Sequence, residues 1–125
     1  SADERADQVN SIRAITLAQG VLENIMADSM SASAGLGFSA FANSATYVDT
    51  PTTGLRARLS SVSSPYESLG FSYSITIGAL MDSTGAVNAD TTLNLFRKMK
   101  VTVSFPLSSG STAAMDVEGV IADLS

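Results

Sequence analysis

Residues Asp3 to Met30 constrain this chain more than any other stretch. They read as one helix of about 28 residues and roughly 40 Å, and whatever follows must give that helix a surface to pack on. With residues placed about 100° apart, Ile15, Ala18, Leu22, Ile25 and Met26 share one arc, and Ala14, Val21 and Ile12 lie at its margins. Thr16, Gln19, Glu23, Asn24, Arg13 and Gly20 occupy the far side. The pattern predicts a core-facing amphipathic helix from about Ile12 onward. Earlier, the same arc carries Glu4, Asp7, Gln8 and Ser11, so no apolar stripe continues through it. The first turns are therefore expected to project beyond their own domain as a polar rod that continues upstream of Ser1.

A second strip runs along the polar side through Val9, Arg13, Leu17 and Gly20. Small or apolar residues outside the core arc let another helix approach closely, which makes these four the candidate partner interface. The alternative is a buried arc wide enough for Leu17 to touch the sheet edge.

The remaining residues decide what kind of domain this helix belongs to. The chain has 125 residues, 45% hydrophobic and 15% charged, which suits one globular domain with a real core. It contains no Cys and no His, which removes disulfides, thiolate nucleophiles, the commonest zinc ligand and the usual general base near neutral pH. Catalysis is not expected, nor any cofactor. A net charge of −5 repels phosphate backbones, so nucleic acid is not an expected partner. No run of apolar residues reaches the length of a membrane span.

Residues 31–54 are rich in Ser, Ala, Thr and Gly, with Phe38, Phe41, Tyr47 and Val48 as the sizeable apolar anchors. They read as a connecting loop laid over the sheet, with a short helical turn around Ser39 to Ser44. Residues 55–125 read as the sheet region. Leu55, Ala57 and Leu59 alternate with Arg56, Arg58 and Ser60 until Ser64-Pro65 interrupts them. Phe71, Tyr73, Ile75 and Ile77 alternate with Ser72, Ser74, Thr76 and Gly78, the cleanest strand pattern in the chain. Met99, Val101, Val103 and Phe105 share a face opposite Lys98, Lys100, Thr102 and Ser104, and Pro106 ends that strand. After a Ser/Gly hairpin loop, Met115, Val117 and Ile121 oppose Asp116, Glu118 and Val120, with Gly119 as a candidate bulge. One amphipathic helix followed by antiparallel strands is an α+β, two-layer architecture.

Between strands, Asp82, Asn88 and Asp90 form an oxygen-rich set that could ligate Ca²⁺, a cation that takes carboxylate and carbonyl oxygens. They lack the EF-hand spacing, and Asx-type turn chemistry accounts for the same composition. Arg97, Lys98 and Lys100 form one basic cluster, and Arg56 with Arg58 a second, read as a solvated sheet face or a surface for an acidic partner. Asp82-Ser83-Thr84-Gly85 does not make an aspartic-protease motif, because Ser83 interrupts it and no second copy exists.

The run from Ala14 to Ala27, with Leu17-Ala18 and then Glu23-Asn24, resembles the periplasmic half of the N-terminal helix in type IV pilin-like proteins. Minor pseudopilins of type II secretion and minor type IV pilins are the nearest in kind. Arg97 to Pro106, a Gly-containing turn and Met115 to Leu124 resemble the strand pair that closes such domains. The chain departs from the pattern in having no Trp before Pro106, where relatives often carry one, and in having no cysteine pair to close the C-terminal region as in many major pilins; the second departure favours a minor pilin or pseudopilin. The resemblance implies a pilin-like fold and a prepilin cleavage site and membrane helix upstream of Ser1. It also implies a periplasmic or cell-envelope location, anchored in the inner membrane before assembly. The implied partners are other pilin or pseudopilin subunits and secreted cargo. The implied function is assembly: initiating, capping or joining a filament by helix and head packing. The rival expectation is a cargo-, ligand- or surface-binding tip module that uses the 31–54 or 82–90 loop.

Overall fold

The computed structural model describes residues Ser1–Ser125. One helix, α1 (Ala2–Ser29), lies across a three-stranded antiparallel sheet ordered β1 (Ser72–Ile77), β2 (Phe96–Pro106) and β3 (Thr112–Ala122). The α+β arrangement expected from the sequence is the one observed. Between α1 and the sheet, the chain makes a 3-10 turn (Phe38–Ala42) and three short helices, α2 (Ser44–Asp49), α3 (Leu55–Arg58) and α4 (Ser60–Glu67).

The strand periodicity translates directly into layers, because residues two apart share a face. Met99, Val101, Val103 and Phe105 are all buried beneath α1, while Lys98, Lys100, Thr102 and Ser104 face the opposite side. Phe71 and Tyr73 complete the core at β1, and Phe71 stacks on Phe105 at 5.6 Å between ring centroids. Gly119 is no bulge, since it pairs in regular register with Met99. Its lack of a side chain matters for another reason: a Cβ there would sit 3.3 Å from Leu22 Cδ1, so glycine lets α1 approach β3 closely.

Three expectations need correction. The buried face of α1 is Ala14, Leu17, Ala18, Val21 and Ile25, a rotation of roughly 80° from the expected arc of Ile15, Ala18, Leu22, Ile25 and Met26. Ala18 and Ile25 are fully buried as expected, but Ile15, Leu22 and Met26 are only half-buried. Apolar residues occupy a broad sector of this helix, and the position of the sheet, not the sector's midpoint, decides which of them lie deepest.

The second correction concerns Leu55 to Glu67, which are helical and not part of a sheet. Leu55, Leu59 and Ser63 are the buried residues there, a spacing of four, and Ala57 is exposed. The Leu-x-Ala-x-Leu pattern fits period 2 and period 4 equally, and packing selects the second. Pro65 falls inside α4 without ending it; the helix closes two residues later.

The third concerns the first turns of α1, which do not project free of the domain. The turn between β2 and β3 reaches them: Ser108 N–H donates to Asp7 Oδ1 at 2.9 Å, and its hydroxyl donates to the same oxygen at 2.8 Å and to the Asp3 carbonyl at 3.3 Å. These turns are held by polar contacts at one point and bury no apolar stripe. No helix of the chain is long and apolar enough to cross a membrane.

Candidate functional site

Two parts of the surface are candidates for a functional site: the outward strip of α1, and the polar knot and groove at its C-terminal end. On the strip, Val9 is 45% exposed and Ile12 66%, and Arg13 is exposed with its guanidinium donating to Asn10 Oδ1 at 3.0 Å. Beyond the backbone of its own helix and its chain neighbours, nothing lies within 4 Å of where a Cβ on Gly20 would sit. Leu17 does not belong with them, because it is buried in the domain's own core at 3% exposure. The strip available to a neighbouring helix is thus Val9, Ile12, Arg13 and Gly20, with Leu17 removed to the core. The rotation of the buried face accounts for both changes.

At the other end, Asp28 is buried in the last turn of α1. A carboxylate there sits at the negative end of the helix dipole, and no basic residue of that turn offsets it. Arg58, brought in by α3, supplies the compensation with a two-pronged contact: Nη1 to Asp28 Oδ1 at 3.2 Å and Nη2 to Oδ2 at 2.8 Å. The Tyr47 hydroxyl donates to Oδ2 at 2.6 Å, and Arg58 Nε donates to the Thr53 carbonyl at 2.9 Å. Burial, reinforced by the hydrogen bond and charge of Asp28, pushes the Tyr47 hydroxyl well above the usual phenol range. The hydrogen bond to Asp28 likewise raises Arg58. One buried carboxylate therefore fastens α1, α2 and α3 together.

Beside this knot lies a groove of about 780 Å³, lined by Asn43, Thr46, Thr50, Thr53, Tyr47 and Arg58 among others. Thr52 on its rim adopts φ 66°, a left-handed conformation unusual for a β-branched residue. The groove is rich in hydroxyls and holds no acid–base pair.

The residues weighed for calcium form a turn. Asp82 Oδ1 accepts from the Thr84 N–H at 2.8 Å and from the Thr84 hydroxyl, and Oδ2 accepts from Asn88 Nδ2 at 3.0 Å. These bonds, the Thr84 hydroxyl's foremost, hold the Asp82 carboxyl down at about 2. Asn88 Oδ1 accepts from Asp90 N–H at 2.9 Å, and Asp90 Oδ1 accepts from the backbone and hydroxyl of Thr92, which lowers the Asp90 carboxyl. The inward anchor of this loop is Asn94, which composition alone did not single out. Its amide accepts from Asn88 N–H at 2.8 Å and donates to the Asn88 carbonyl at 3.0 Å. No group of three or more acidic side chains comes together anywhere in the chain.

The basic residues do not form one patch either. Arg97 lies on the core side of β2, its guanidinium 5.9 Å from the Phe38 ring and bonded to the Gly78 carbonyl, whereas Lys98 and Lys100 lie on the outer face. Arg56 pairs with Asp49 at 2.9 Å and sits 4.8 Å from the Tyr73 ring centroid. Comparison with protein-family models, curated proteins and solved structures finds no match for this chain.

Proposed function

We propose that this chain is a structural subunit of a pseudopilus or type IV pilus-like filament in the cell envelope, acting by packing and not by catalysis. The observation that supports this reading is the division of α1. Its C-terminal half is pinned to the sheet, while Val9, Ile12, Arg13 and Gly20 present a narrow strip with open space around Gly20. A polar helix end has little intrinsic stability, and neighbouring helices would supply the support its own domain provides at only one turn. The subunit would meet other pilin or pseudopilin subunits through this strip, with an upstream membrane helix as its anchor.

Gly20→Leu tests the reading. The substitution meets open space within the domain and replaces a mid-helix glycine by a better helix former, so the isolated variant is expected to stay folded and to gain about 0.5–1 kcal/mol in stability. In the full-length protein expressed in its own cells, the same variant is expected to lose co-purification with envelope filament subunits. Normal assembly by a well-folded variant would remove the strip from any interface.

A second reading has its own observation, the groove of about 780 Å³ in the 31–54 region. There the chain would act as a tip module that holds cargo or a surface group by hydrogen bonds from Thr and Asn side chains. Loss of cargo capture on Thr46→Ala/Thr50→Ala, with filament assembly intact, would favour it.

A further inference from the structure

The two edges of the sheet differ in length and charge. At β1, six residues long, Arg56 Nη1 donates to the Tyr73 carbonyl at 3.3 Å and so caps one outward group beside a cation. At β3, no hydrogen bond of the chain reaches the outer edge, although the strand runs eleven residues from Thr112 to Ala122. The register identifies the unpaired groups. Gly78 N–H bonds to the Lys98 carbonyl, and Asp123 N–H bonds to the Leu95 carbonyl. Even-numbered residues of β2 therefore point their backbone toward β1 and odd-numbered ones toward β3. Because Val103 pairs with Met115 and Val101 with Val117, the odd residues of β3 bond inward. Ala114, Asp116, Glu118 and Val120 are left with N–H and C=O groups turned outward, and all four are exposed. Such an edge is a template for another strand.

The charges on that edge select the occupant. Asp116 and Glu118 stand on the outer face of β3; Glu118 is 3.7 Å from Lys98, and Asp116 has no ion-pair partner. A second copy pairing antiparallel through β3 would place acid opposite acid in each of the most overlapping registers: Asp116 on Asp116, Asp116 on Glu118, or Glu118 on Glu118. Like charges directly opposite destabilise a strand pair, and opposite charges stabilise it. We propose that the free edge of β3 receives an extended, antiparallel segment of another protein that carries Lys or Arg opposite Asp116 and Glu118 and an apolar residue opposite Val120. This surface is separate from the helix strip, and the inference stands whether or not the chain enters a filament.

The test uses the whole chain and a blocked synthetic peptide, Ser-Thr-Val-Thr-Lys-Thr-Lys-Thr-Ser, with a second peptide in which both Lys are Glu. Amide hydrogen exchange is read residue by residue. In the free chain, the even amides of β3 should exchange fast and the odd ones slowly. The Lys peptide should slow Ala114, Asp116, Glu118 and Val120 by the factor 1 + [L]/Kd, about threefold at twice Kd, and the Glu peptide should not. Asp116→Lys should weaken the Lys peptide by roughly three- to tenfold. Glu118→Pro should abolish pairing, since it removes only an outward N–H. Should that proline variant unfold, Asp116→Lys carries the test. No slowing at about 10 mM peptide, a concentration that would reveal even a millimolar Kd, would overturn the proposal and leave the acids as guards against edge pairing. Equal slowing by both peptides would overturn the charge selection. Slowing that depends on the concentration of the chain alone would assign the edge to a second copy.

Discussion

The two halves of α1 are continuous in backbone and opposite in everything else. From Ala14 to Ser29 the helix is anchored by Leu17, Val21 and Ile25 in the core and by Asp28 in a hydrogen-bonded ion pair. From Ala2 to Arg13 it has no buried residue, and its tie to the rest of the molecule is Ser108 on Asp3 and Asp7. Helical hydrogen bonds are equally available to both halves, so the difference lies in tertiary packing, which supplies most helical stability in proteins. The lesson is that one helix serves as part of a core along half its length and as an accessible surface along the other half.

The sharpest way to break that contrast is to truncate apolar residues on either side of it. Ile25→Ala should cost about 2–5 kcal/mol, because the side chain is fully buried and leaves a cavity, while Ile12→Ala should cost within about 0.5 kcal/mol. Leu22→Ala should fall between them, since Leu22 packs on Gly119 but is only half-buried. Denaturant melts of the three variants would rank them. Equal losses at Ile12 and Ile25 would show that the outer half is packed as well as the inner.

Next in size is the knot. Arg58→Ala leaves the Asp28 carboxylate buried at the wrong end of a helix dipole, and should cost about 2–4 kcal/mol by urea denaturation. Asp28→Asn/Arg58→Met should recover part of it. No recovery would mean that Arg58 acts through its Thr53 bond instead.

Alkaline pH sharpens the same point. The folded state holds the Tyr47 proton above the ordinary value of 10, so Tyr47 contributes stability that is fully present below pH 10 and lost as pH rises past it. Tyr73, raised chiefly by burial, adds to the loss. Tyr47→Phe should cost about 1–2 kcal/mol at pH 7 and flatten the decline above pH 10, which melting curves from pH 7 to 11 would show.

The smallest expected effect lies at the outer half. Asp7→Ala should leave the melting temperature within about 2 °C of the parent while speeding amide exchange in the first turns, because it removes both bonds from Ser108 to the Asp7 carboxylate and leaves only the longer one to the Asp3 carbonyl. At the 82–90 turn, the depressed Asp82 carboxyl contributes stability that is present above pH 3.8 and lost as pH falls toward about 2. Asp82→Asn should remove that acid dependence, as melts between pH 5 and 2 would show.

The legible part of this fold was the part where one face of an element is dry and the other wet. Met99 to Phe105 and Phe71 to Ile77 announce their strands because period 2 separates the two environments residue by residue. The long helix is equally plain, and so is the turn chemistry of Asp82, Asn88 and Asp90. Leu55 to Leu59 was ambiguous for a physical reason: residues four apart satisfy both a strand face and a helix face, and only the surface they meet chooses. Of the candidate strip, Val9, Arg13 and Gly20 lie on the accessible side, whereas Leu17 could be placed only once the sheet fixed the rotation of α1.

The sequence by itself determined the element types that carry a period, the absence of thiol and imidazole chemistry, and an acidic net charge. Tertiary structure alone decided which sector of α1 is buried, that Asp28 meets Arg58 thirty residues away, and that Arg56 caps the Tyr73 carbonyl on one sheet edge while no hydrogen bond reaches the other. The reason is common to all three. Periodicity records the environment of a residue relative to its own element, whereas pairing partners, rotation and edge coverage depend on how elements meet in space, which no local pattern encodes.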